Sequence, residues 1–138
     1  MIVVDTNVIA CLYLTSERSQ EAEAALRVDP DWAAPQLWRS ELRSVLLLQI
    51  RQRRMSVADA TAVMDAARDR MRDGEYDVAS AAVLAAGAAS GCSAYDCEFV
   101  VLALELGVQL VTVDRKLIAA FPETAVALAD FASGERPL

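Results

Sequence analysis

Two short apolar runs, Ile2-Val3-Val4 and Val111-Thr112-Val113, each end on an aspartate and lead straight into a helical pattern. Runs that are apolar at successive positions suit strands of a parallel sheet, whose two faces are both covered by helices. A strand is therefore expected from Ile2 to Asp5, followed by helices over about Thr6–Leu14 and Ser16–Val28, with Ser16 as the N-cap of the second. Trp32-Ala33-Ala34 reads as a weak strand. Pro35 is expected in the first turn of a helix to Arg51, and Ser56 opens another to Arg72 with the stripe Val57, Thr61, Met64, Met71. Glu75-Tyr76 reads as a short edge segment. Asp77 is expected to cap an alanine-rich helix that ends at Gly91. A helix over Tyr95–Leu106 stops at Gly107, then a strand over Val108–Val113, a helix over Arg115–Phe121 and a strand over Thr124–Leu128 complete the chain. This alternation predicts an α/β fold, a three-layer sandwich with a mostly parallel central sheet flanked by helices. At 138 residues it is expected to form a single domain spanning 1–138.

Four carboxylates stand at element boundaries or on apolar helix faces: Asp5, Glu41, Asp96 and Asp114. Strand ends of a parallel sheet converge on one crevice, so these acids are expected to meet in space. At ~5 Å and an effective dielectric of ~20, each like-charged pair costs roughly 3 kcal/mol, a cost that a bound cation removes. Asp5 and Asp114 also suit a helix N-cap, a role compatible with facing the crevice. Glu41 shares a helix face with Leu37, Ser44 and Leu48. Asp96 heads a stripe of Phe99, Val100 and Ala103; a first-turn aspartate also complements the helix dipole. Thr112 points to the same side of the sheet as Asp114 and is expected to support the site by hydrogen bonding. Glu98 and Glu105 are assigned to the outer face of their helix.

Composition narrows the chemistry. There is no histidine, which excludes Ser-His-Asp and Cys-His catalysis and His-rich zinc sites. Oxygen ligands alone select Mg²⁺ or Mn²⁺. A net charge of −7 argues against gripping nucleic acid by bulk electrostatics. Of the 13 basic residues 12 are arginine, however, and several cluster locally; Arg39, Arg43 and Arg115 are the candidate phosphate contacts. Cys11, Cys92 and Cys97 lack metal or redox spacing and are expected to be reduced, pointing to a cytoplasmic protein. No leader is read before the first strand. The uncharged run Val78–Tyr95 is too rich in Ala, Ser and Gly for a membrane span. Leu46-Leu47-Leu48 places leucines on three sides of one helix. The helix pair from Pro35 to Arg72 is therefore expected to offer an apolar groove to a partner helix or to a second copy in a homodimer.

Taken in order, Val3-Val4-Asp5-Thr6-Asn7-Val8-Ile9, Ser40-Glu41-Leu42, Ser93-Ala94-Tyr95-Asp96-Cys97-Glu98 and Leu110-Val111-Thr112-Val113-Asp114-Arg115-Lys116-Leu117 resemble the PIN domain, in particular its small VapC-like group. The resemblance spans essentially the whole chain. It implies a metal-dependent ribonuclease with an acidic quartet, carried over by position to Asp5, Glu41, Asp96 and Asp114, with Thr6 and Asn7 in support. It also implies one or two Mg²⁺ or Mn²⁺ ions that activate water against an RNA phosphodiester, and an antitoxin protein as partner. Ser44 stands where the family often has Asn, and Lys116 where some relatives carry another acid. The alternative within the same fold is a catalytically silent module that binds RNA or protein. A haloacid-dehalogenase-like phosphatase is disfavoured because Asn7 occupies the place of its second aspartate, and a receiver domain because the opening lacks an adjacent acidic pair.

Overall fold

Every residue of Ile2–Val4, Trp32–Pro35 and Leu110–Thr112 is buried, as strands covered on both faces must be. The computed structural model describes residues 1–134. These segments are β1, β2 and β4; Glu75–Tyr76 is β3 and Ala125–Ala127 is β5. Together they form an all-parallel sheet in the order β3-β2-β1-β4-β5. The helices are α1 (Thr6–Tyr13), α2 (Ser19–Val28), α3 (Leu37–Arg51), α4 (Val57–Met71), α5 (Ser80–Ser90), α6 (Ala94–Leu106), α7 (Arg115–Ala120) and α8 (Leu128–Ala132).

From β1 the chain builds outward through β2 and β3, then returns to lay β4 on the other side of β1. The sheet therefore reverses its winding between β1 and β4, and a crevice opens beyond the carboxyl ends of these two strands. Helix α6 lies across β1, β2 and β4, with α5 packed on it, while α1, α2, α3, α4 and α8 pack among themselves. The result is the α/β sandwich expected from the alternation of strands and helices. Among the described residues no helix is long and apolar enough to cross a membrane. Gly91, at φ 73°, ends α5 and interrupts the long uncharged run.

Several local expectations are corrected. Pro35 ends β2 rather than starting α3. Ala34 donates its N–H to Gly74 on the β3 side, so Pro35 turns its nitrogen to the side where pairing with β1 has ended at Ala33. The missing N–H therefore costs no ladder bond. Ser16 does not cap α2, which begins at Ser19; its hydroxyl instead accepts from the Arg18 N–H in a turn. Asp77 does not cap α5, whose N-cap is Ala79 without a side-chain hydrogen bond. On α4 the buried face is Ala60, Ala67 and Met71, whereas Val57 and Thr61 are exposed, because the small alanines allow the closer approach. After β5 the chain forms α8, a five-residue helix beyond the elements expected from the sequence. Gly74 is fixed by crowding: a Cβ there would collide with the carbonyl oxygen of Trp32.

Candidate active site

Asp5 follows the last residue of β1 and caps α1, its Oδ1 accepting from the Val8 N–H at 3.0 Å. Its second oxygen accepts from the hydroxyl of Thr112, which sits fully buried at the end of β4. The same hydroxyl accepts from the backbone N–H of Asp114 at 3.0 Å, so one threonine ties together two acids from adjacent strands. Asp114 caps α7 by accepting from the Lys116 N–H at 2.8 Å. The N-cap roles and the crevice-facing roles of both aspartates thus coexist.

On the opposite wall, Glu41 projects from α3 and its Oε1 accepts from the Thr6 hydroxyl at 2.8 Å. Asp96 lies in the first turn of α6, whose actual cap is Ser93. Beneath it Phe99, Val100 and Ala103 are buried. One cavity of about 400 Å³ is lined by Asp5, Glu41, Asp96 and Asp114, and also by Thr6, Asn7 and Ser44. Leu37 joins them on the wall, but Leu48, expected on the same face as Glu41, is 52% exposed one turn too far along α3.

The electrostatics of this cavity are uncompensated. Burial pushes the Asp5 carboxyl up to about 6, against the lowering effect of its Thr112 and Val8 hydrogen bonds, and the charge of Asp114 adds to the rise. Glu41 is likewise raised, first by burial and then by Asp96, with Thr6 opposing. Among the described residues no arginine or lysine lines the cavity. The donors are carboxylate and hydroxyl oxygens throughout, the chemistry that suits a hard divalent cation. Among the described residues no three acidic or cysteine side chains are arranged as a ready-made ion cage. Mg²⁺ does not require one, since it keeps several waters and takes one or two carboxylates. The residues therefore fit a hydrated divalent ion.

The three candidate arginines sit elsewhere. Arg39 is bound to Glu75 through its Nε at 2.7 Å and its Nη2 at 2.6 Å, and faces a different cavity with Arg68 and Arg72. It is a structural ion pair, not a free cation beside the acids. Arg43 borders the groove between α3 and α4, and Arg115 is exposed at the start of α7. Sequence reasoning missed two neighbours. Tyr95 lines the cavity while 62% exposed. Glu98 is not on an outer face: it is half-buried, and its carboxyl is raised by burial and by the charge of Glu41. Its spacing of two from Asp96 hid this, because such residues do not share a helix face.

The family model for the PIN domain matches residues 2–123. The chain belongs to the PIN-domain family. A curated relative, Ribonuclease VapC3 of Pyrobaculum aerophilum, is 27% identical over 124 residues, covering 88% of this chain and 95% of the relative. The crystal structure of PAE2754, also from Pyrobaculum aerophilum, superposes with a TM-score of 0.77 at 19% identity, covering 96% of this chain and 94% of that one. The PIN fold thus accounts for a sheet whose carboxyl edge gathers acids from β1, α3, α6 and the end of β4.

Proposed function

We propose that this protein is a metal-dependent endoribonuclease of the VapC type, hydrolysing RNA phosphodiesters with the help of one or two Mg²⁺ or Mn²⁺ ions. The observation that carries this reading is the single cavity lined by Asp5, Glu41, Asp96 and Asp114, with no basic side chain among the described residues to offset them. A bound divalent ion would neutralise the acids, admit a phosphate and supply an activated water at neutral pH. Asp5 and Asp96 would hold the principal ion, with Asp114 and Glu41 completing the site directly or through water. Thr112 fixes the orientation of Asp5, Thr6 that of Glu41, and Asn7 stands at the mouth as a polar support. With Arg39 engaged by Glu75, Arg115 beside Asp114 is the best-placed phosphate contact, and Arg43 is more remote.

The biological setting we infer is that of a cytoplasmic toxin silenced by an antitoxin, in line with the VapC3 relative. Helices α3 and α4 leave an apolar groove of about 410 Å³ lined by Leu46, Leu47, Ile50, Val57 and Met64, into which an antitoxin helix or a second copy would fit. The alternative, a silent PIN module, is favoured only by the lack of a preformed ion cage among the described residues. The deciding experiment is cleavage of total RNA by purified protein in Mg²⁺ or Mn²⁺, beside EDTA and Asp96→Asn controls. Cleavage that requires both the metal and Asp96 is expected. Metal-dependent cleavage that survives in Asp96→Asn would overturn the site assignment, and no cleavage under either metal would favour the silent module.

A further inference from the structure

Beside the acidic cavity lies a second one of about 640 Å³, and Leu37 forms a wall of both. The volume is in the range of small-molecule sites. Its lining is unlike that of the first. Tyr76 contributes a half-buried aromatic side chain from the edge strand β3, Gln36 an amide, Ser80 a hydroxyl, and Asp77 and Glu98 carboxylates. No hydrogen bond or ion pair engages these five side chains among the described residues, in contrast to the fully engaged Glu75 one residue before Tyr76. Asp77 is free because α5 begins at Ser80 and takes Ala79 as an uncapped start.

This chemistry selects its ligand. Two carboxylates repel a phosphate, so the part of an RNA that enters is the uncharged base. Ionised carboxylates only accept hydrogen bonds, and they favour a base edge rich in N–H donors. Guanine alone places a ring N–H and an amino group side by side, with an adjacent carbonyl that an amide or hydroxyl can meet. An aromatic ring adds a stacking surface. We propose that the cavity between Tyr76 and Glu98 is a base-recognition subsite that takes guanine from the nucleotide neighbouring the one cleaved. The inference rests on the ribonuclease reading for its biological meaning, but the recognition itself is a property of this cavity.

Its test separates the two. Neutral nucleosides are titrated against the full-length protein without metal, and binding is read by ligand-observed saturation-transfer NMR. Guanosine is expected to bind, inosine, which lacks the amino group, about ten-fold more weakly, and uridine least. Tyr76→Leu and Glu98→Gln should each abolish the guanosine preference, while Tyr76→Phe, which keeps the stacking ring, should retain it. Unfolding midpoints identify any variant that fails to fold, and the Phe variant then carries the comparison with Ser80→Ala. Equal binding of guanosine and uridine, or a guanosine preference that survives both Tyr76→Leu and Glu98→Gln, would overturn the subsite. In parallel, the 5′ ends of RNA fragments are mapped, with guanine expected at one fixed position near each cut and that bias relaxed in Tyr76→Leu. Guanosine selectivity without any cleavage would leave the subsite standing and remove the nuclease reading; cleavage with neither guanosine selectivity nor a guanine bias would do the reverse.

Discussion

Two acids in this protein, Asp5 just after β1 and Glu75 in β3, are set into the sheet on either side of β2, and they are treated in opposite ways. Glu75 receives two bonds from Arg39 and one from the indole N–H of Trp38, and its carboxyl is held below the usual range, chiefly by the Arg39 hydrogen bond. Asp5 receives the backbone N–H groups of Val8 and Val113 and the Thr112 hydroxyl but no cation, and burial drives its carboxyl up to about 6. The fold can thus provide a cation when a buried acid serves structure alone. At the carboxyl edge of the sheet it provides none among the described residues, and this is the charge that the proposed divalent ion would offset.

That contrast orders the expected effects. The largest falls on activity: Asp96→Asn should reduce metal-dependent RNA cleavage on the order of 10³-fold, or ~4 kcal/mol of transition-state stabilisation, measured as initial rate on a fixed RNA. Next comes stability. In the metal-free protein Asp5→Asn should stabilise the fold at pH 7.5 by up to ~3 kcal/mol, the equivalent of a carboxyl raised from 3.8 to about 6, read by urea unfolding. The sign also sets the pH profile. Because the folded-state value lies above the ordinary 3.8, folded Asp5 binds a proton that unfolded Asp5 releases, so metal-free stability should fall as pH rises from about 4 through about 6. Glu75 runs the other way. With its value lowered from 4.5, its contribution is present at neutral pH and is lost as acid protonates it.

Breaking the structural pair sharpens the comparison from the other side. Glu75→Ala should cost about 2 kcal/mol, less than the loss of a fully buried pair, because the Arg39 side chain is 33% exposed and can regain water. It should leave any metal affinity unchanged, which a titration of the variant checks. The smallest effect is expected for Arg115→Ala. The loss of one exposed phosphate contact should slow cleavage only a few-fold, by ~1 kcal/mol or less, and should act mainly through KM.

Much of this was readable from the chain, for identifiable reasons. Asp5 and Asp114 stood out because each closes an apolar run, and strand ends converge wherever a parallel sheet reverses its winding. Glu41 and Asp96 are legible as cavity residues because a carboxylate on the apolar stripe of a helix faces the interior side of that helix rather than its outer face. What sequence did not reveal depends on contacts between distant residues. Arg39 looked available because nothing local engages it; its partner Glu75 lies 36 residues away and meets it only through the pairing of β2 with β3. Glu98 reads as an outer-face residue from its helical spacing to Asp96, but the fold half-buries it and brings it within reach of the charge of Glu41, 57 residues earlier in the chain. Asp77 read as a cap because Asp favours that position, whereas the turn into α5 runs two residues further before the helix starts.

We infer that the acids at the carboxyl edge are completed by a divalent ion, whereas the Arg39–Glu75 pair is complete within the chain. Calorimetric titration of Mn²⁺ into the protein at pH 7 tests it directly, with Asp5→Asn and Glu75→Gln run alongside. Saturable binding that is lost in Asp5→Asn and kept in Glu75→Gln is the predicted result. No binding to the wild-type protein, or binding undiminished in Asp5→Asn, would contradict the account.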